Sequence, residues 1–172
     1  IEAVADANPS TLAVVNSGTA FETPWIDDVD GLIAAWYSGE QGGEAGARVV
    51  FGETNPSGRL PMSFPMTLAD TPTGADETRY PGVFADGSSE RVDEESIRQV
   101  DYSEGLEIGY KWYQAQGIEP RFAFGHGLSY STFEYSGLEV ASAFVDGRQT
   151  ATATFTVTNT GDVAGDDVPQ VY

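Results

Sequence analysis

The stretch EPRFAFGHGLSYSTF, residues 119–133, divides the chain into two kinds of sequence. Before it, short apolar runs are broken by Gly-rich turns and one helical pattern. After it, apolar and polar residues alternate with the period of two that marks β-strands. Arg121, Phe122, Ala123 and Phe124 form an aromatic run, and Gly125-His126-Gly127 is a flexible break after it. Leu128, Tyr130 and Phe133 follow as apolar anchors for the next segment. The stretch reads as an aromatic packing corner between two domains, with His126 a turn or packing residue rather than a catalyst. His126 is the one histidine in the chain, which excludes a His-based metal cluster or proton relay.

Charge is the strongest compositional signal. The 172 residues hold 27 Asp plus Glu against 8 Lys plus Arg, a formal net charge of −19, and Lys111 is the one lysine. Such a surface repels nucleic acid and anionic lipid, so neither is expected as a partner. The acidic, lysine-poor composition resembles that of proteins from salt-loving microbes, with an ordinary acidic exported protein as the competing reading. Hydrophobic residues at 40% allow a packed core. No apolar run approaches the roughly 18 residues of a membrane span. Ile1 is not a start methionine and residues 1–10 carry no signal-peptide pattern, so the chain reads as beginning inside a longer protein. With no cysteine, disulfide and thiolate chemistry are excluded.

Taken in order, residues 11–16 (TLAVVN) and 31–37 (GLIAAWY) read as buried strands of an α/β sheet. Pro24, Trp25 and Ile26 open a short element between them, with Asp27, Asp28 and Asp30 suited to a helix start. The Gly-rich residues 39–46 lead into a helix expected over 45–51. A phosphate loop is excluded there: no Gly-Lys-Ser/Thr ending follows, no lysine is near, and Glu40 and Glu44 stand where an anion would sit. No cofactor is expected. Asn55-Pro56-Ser57-Gly58 signals a turn, followed by a strand over residues 59–64 closed by Pro65. Residues 69–100 form a long acidic loop, and the charge run from Glu90 to Glu95 reads as a solvated face without the spacing of a calcium loop. Ile108, Tyr110 and Trp112 alternate as in a strand.

Past the corner, Leu138, Val140 and Phe144 share one parity and Asp146-Gly147 is a hairpin turn. Ala151, Ala153, Phe155 and Val157 face one way, and Thr152, Thr154, Thr156 and Thr158 the other. A turn at residues 159–162 leads to a third strand over 168–172. A complete sandwich has about seven strands, so the all-β part reads as incomplete.

These pieces together resemble the C-terminal part of glycoside hydrolase family 3, the β-glucosidase and β-xylosidase group. The residues that carry the resemblance are Pro24-Trp25, AWYSG at 35–39, Gly42-Gly43, Phe51-Gly52 and NPSGRLP at 55–61. They continue with residues 102–112, FGHGLSY at 124–130 and VTNTG at 157–161. The resemblance implies an α/β sandwich portion over residues 1–127, then the start of a fibronectin type III-like, immunoglobulin-like domain over 128–172. It implies a retaining, exo-acting hydrolase of terminal β-glycosides, in which two carboxyl groups about 5–5.5 Å apart act as nucleophile and acid/base. In the family the nucleophilic Asp lies on an N-terminal (β/α)8 barrel, and the acid/base Glu on a loop upstream of the strand matching residues 11–16. Neither transfers to a position here, so no catalytic, substrate-binding or metal residue is assigned and the chain alone is expected to be inactive. Glu22, Glu40, Glu44 and Glu104 are available carboxylates that match no catalytic motif; each reads as a cap, a surface charge or a supporting group. A glycoside would then be a partner only through the barrel. Two other readings stand beside this one. A sugar-binding module would stack Trp25, Trp36 and Trp112 on sugar faces, and a self-associating piece would pair through open strand edges.

Overall fold

The computed structural model describes residues 1–74, 76–91, 93 and 96–172. It is a mixed α/β chain whose elements run α1 (Glu2–Ala7), β1 (Leu12–Val15), β2 (Gly31–Ala34), α2 (Gly42–Val50), α3 (Tyr110–Gln116), β3 (Phe133–Val145) and β4 (Arg148–Asn159). Two compact units emerge. Residues 1–44 and 60–126 form one, and residues 45–59 with 127–172 form the other.

In the first unit β1 and β2 pair in parallel, Leu12 opposite Gly31 through Val15 opposite Ala34. Short apolar runs separated by a crossover form such a pair. The ladder closes with the Ala35 amide on the Val15 carbonyl at 2.9 Å. Trp36 then takes a φ of 52°, left-handed space that no strand residue occupies, so β2 stops short of the expected Tyr37. The expected burial is also corrected: Ala13 is buried, but Leu12 and Val14 on the opposite parity are exposed. Between the strands the Pro24-Trp25 signal becomes a single 3₁₀ turn, Ile26–Asp28.

The core of this unit lies around Phe64, which is 1% exposed. Phe21, Trp36 and Phe122 meet its ring edge-on at 5.1, 6.1 and 6.2 Å, the geometry aromatic quadrupoles prefer. Residues 59–64 do not form the expected strand. Leu60 exchanges backbone bonds with residues 125–126, and Phe64 pairs with Phe122, but these pairings stay isolated. Pro61 and Pro65 have no N–H to donate, and proline interrupts a ladder for that reason.

Two further expectations fail on backbone grounds. Ile108, Tyr110 and Trp112 are not a strand: Gly109 at φ 57° and Gly117 at φ 65° bound the helix α3, whose Tyr113 is the buried residue. The α2 helix starts at Gly42, ahead of the expected Ala45, because the Gly42 amide already closes onto the Gly39 carbonyl at 3.2 Å.

The acidic loop is folded where it is described. Val83 bridges Gln99, Phe84 is buried, and Arg98 lies over its ring at 5.0 Å while donating to the carbonyls of Gly82 and Ser89. Of the charge run from Glu90 to Glu95, residues 92, 94 and 95 lie outside the described residues.

In the second unit β3 and β4 form an antiparallel hairpin, Val145 opposite Arg148 and Phe133 opposite Asn159. Asp146 and Gly147 both take positive φ, 49° and 77°, as a two-residue turn matched to strand twist requires. The register shifts between Ser136 and Glu139, where Gly137 sits at φ 62°. The Tyr135 and Phe155 rings meet across the ladder, tilted by 34° with centroids 5.9 Å apart. Residues 168–172 form no strand, correcting that expectation, and Leu128, at 78% exposure, is no buried anchor. Asn55-Pro56-Ser57-Gly58 is not a turn but irregular chain.

Candidate functional site

The acidic loop and α3 bring one charged cluster together in the first unit. Asp76 starts it: its carboxylate accepts from the Thr78 hydroxyl at 2.7 Å and the Thr78 amide at 2.9 Å, a local turn that Asp favours. Those two bonds, then the neighbouring Arg79 charge, hold its carboxyl below the usual carboxylate range. The turn presents Arg79, whose Nε donates to Ser103 Oγ at 3.0 Å and whose Nη1 donates to the Pro72 carbonyl at 3.1 Å. Arg79 Nε also lies 3.8 Å from Asp76 Oδ2 and from Glu104 Oε2. Its guanidinium sits over the Trp112 ring, 5.3 Å from the centroid, a cation–π contact.

Trp112 is held at its other edge, where Nε1 donates to the Asp70 carbonyl at 2.9 Å. Asp70 belongs to the 3₁₀ turn Leu68–Asp70 and accepts from both the amide and the hydroxyl of Thr67. Glu22 accepts the Leu68 amide at the start of the same turn. Burial, reinforced by the Asp70 charge, pushes the Tyr113 phenol above its ordinary range.

Of the sequence candidates, Glu22, Glu104 and Trp112 therefore meet around residues 68–70 and Arg79. The Glu104 side chain is 8% exposed, and its Oε2 has no hydrogen-bond donor beyond the ion-pair distance to Arg79. Glu22 secures a turn and Glu104 faces the half-buried Arg79 guanidinium, so each carboxylate has a structural partner. Glu40 and Glu44 lie exposed in the Gly-rich stretch, with Glu44 in the first turn of α2 where the helix dipole favours a negative charge. Trp25 and Trp36 are half-buried. His126 stacks on Phe122 with ring centroids 5.0 Å apart. Among the described residues no cluster of three or more His, Cys, Asp or Glu is placed to hold a metal.

Arg79 was not among the sequence candidates, although the signal was present. It is the one basic residue between positions 69 and 90, and a lone cation in an acidic segment has carboxylates to gather. Asn55 and Asp167, which hold the second unit together, carried no comparable signal.

The arrangement ties the acidic loop to α3. A sequence profile of the glycosyl hydrolase family 3 C-terminal domain matches residues 1–130. The chain belongs to glycosyl hydrolase family 3. Similar curated relatives in this family include the beta-glucosidase BoGH3A of Bacteroides ovatus, 39% identical over 173 residues covering 100% of this chain and 21% of the relative. Thermostable beta-glucosidase B of Acetivibrio thermocellus is 39% identical over 172 residues, again 100% of this chain and 21% of the relative. Among solved family 3 structures, DesR, a beta-glucosidase from Streptomyces venezuelae in complex with D-glucose, superposes with a TM-score of 0.79 at 36% identity. That match covers 93% of this chain and 18% of DesR. Beta-glucosidase 3B from Thermotoga neapolitana, in complex with glucose, gives a TM-score of 0.77 at 34% identity over 95% of this chain and 21% of that one. This chain spans about a fifth of the length of the curated relatives it matches.

Proposed function

We propose that these 172 residues are the C-terminal portion of a retaining, exo-acting β-glucosidase-like hydrolase of terminal β-glycosides. The single observation that carries the reading is the full-length match of this chain to beta-glucosidases, at 39% identity to BoGH3A. In this reading the nucleophile and acid/base carboxylates lie in parts of the parent protein outside these residues. The Arg79, Glu104 and Trp112 cluster then supports the loops that the α/β portion presents. The domain division we favour is an α/β sandwich portion over 1–127 and the start of a fibronectin type III-like domain over 128–172. The antiparallel β3–β4 hairpin, with its Ala/Phe/Val and Thr faces, supports the second part. The net charge of −19 supports a parent enzyme that works in brine.

The test is a chimera in which this chain replaces the matching fifth of Acetivibrio thermocellus beta-glucosidase B. Release of p-nitrophenol from p-nitrophenyl β-glucoside by the folded chimera is the expected result. A chimera that folds, by circular dichroism and monodispersity, yet has no turnover would sink the reading.

A further inference from the structure

In the second unit, sequence-distant segments meet on a short polar strand of chain. Asn55 Nδ2 donates to the Ala164 carbonyl at 3.1 Å and to Ser131 Oγ at 3.4 Å, while its Oδ1 accepts from Ser129 Oγ at 2.9 Å and the Tyr130 amide at 2.8 Å. Ser57 Oγ accepts the Asp166 amide at 3.2 Å. Arg59 Nη2 bonds Asp167 Oδ1 at 2.6 Å, and the other oxygen of Asp167 accepts from the Tyr135 hydroxyl. Residues 55–59 thus hold 129–131 on one side and 164–167 on the other. The segments lie so close that a side chain on either of two glycines would meet a neighbouring atom, backbone at one and the Asn55 side chain at the other. A Cβ on Gly127 would sit 2.4 Å from the Gly58 carbonyl oxygen, and one on Gly165 would sit 2.4 Å from Asn55 Nδ2.

Within these 172 residues the polar hub is what closes this unit. Among the described residues its one buried side chain is Ser131, whose hydroxyl donates to the Val163 carbonyl within the same polar hub. Leu138, Val140, Phe144 and Val145 of the hairpin are exposed. A unit with few buried apolar contacts opens at low free-energy cost, and its opening is governed by the polar bonds that remain. We propose that Asn55–Arg59 is a clasp: residues 127–167 open and close on it as one cooperative segment, while the aromatic core around Phe64 stays folded.

Native-state amide exchange on the full chain tests this with Asn55→Ala. The expected result is a loss of protection of about tenfold or more at Tyr130 and Asp166 together, as follows when a hub of four hydrogen bonds is removed. The Phe64 and Phe122 amides, which pair in the first unit, should be unchanged. Gly165→Ala is the milder wedge: its Cβ would press on the Asn55 amide and should lower protection at Tyr130 and Asp166 together, by less than Asn55→Ala does. Unchanged protection at Tyr130 and Asp166, an equal loss at Phe64 and Phe122, or global unfolding of Asn55→Ala would each overturn the proposal.

Discussion

Replacing Arg59 with alanine should loosen the second unit in a way that depends on pH. The Arg59 and Asp167 side chains are each 12% exposed and meet at 2.6 Å. Fully exposed ion pairs contribute about 1 kcal/mol or less, whereas breaking a buried one costs about 3–5 kcal/mol. The partial exposure places Arg59→Ala between these, at about 2 kcal/mol. The Asp167 carboxyl is held below the usual carboxylate range, first by the Tyr135 hydroxyl, then by the Val168 amide and Arg59. The same hydrogen bond pushes the Tyr135 phenol up, so its O–H remains a donor. A carboxyl depressed in the folded state adds stability that is present above its unfolded value, about 3.9, and is lost as pH falls through the lower folded value. A urea titration followed at the Asp166 and Val168 amides should therefore show the Arg59→Ala deficit at pH 7 and a smaller deficit well below pH 4. An equal deficit at pH 7 and pH 2.5, or none at pH 7, would refute the reasoning.

Three further outcomes follow from single contacts. Phe64→Ala removes the ring at the centre of the aromatic cluster and should cost about 3–5 kcal/mol in urea denaturation. Thr23 is 1% exposed and its hydroxyl has no partner. Thr23→Val, which removes that buried polar atom at constant shape, should be neutral or raise the urea midpoint. Trp112→Phe keeps a ring beneath Arg79 but loses the bond to the Asp70 carbonyl, and should cost about 1 kcal/mol by the same measurement.

The hairpin was legible because its signals are local: alternating Ala/Thr residues and an Asp-Gly pair whose positive φ the turn demands. The β1–β2 pair was legible as strands, but its burial was not, since coverage of Leu12 and Val14 depends on what packs there rather than on their hydrophobicity. Alternation misled at Ile108, Tyr110 and Trp112, where Gly109 and Gly117 close a helix that a period-two reading overlooks. Residues 55–58 carry turn-type residues, yet Asn55 uses its amide to bond chain 74 to 109 positions away. No local pattern encodes a partner at that separation. The carboxylates of Glu22 and Glu104 were visible as residues, but their partners, a Leu68 amide and the Arg79 guanidinium, come from a loop whose course the sequence does not dictate locally.

Our central proposal is that the catalytic carboxylates of the parent protein lie outside these residues. Its most direct test is p-nitrophenyl β-glucoside hydrolysis by the purified 172-residue chain, at low and at multimolar salt. The account predicts no turnover at either salt concentration. Turnover by the chain alone, abolished by Glu104→Gln or Glu22→Gln in a folded protein, would contradict it.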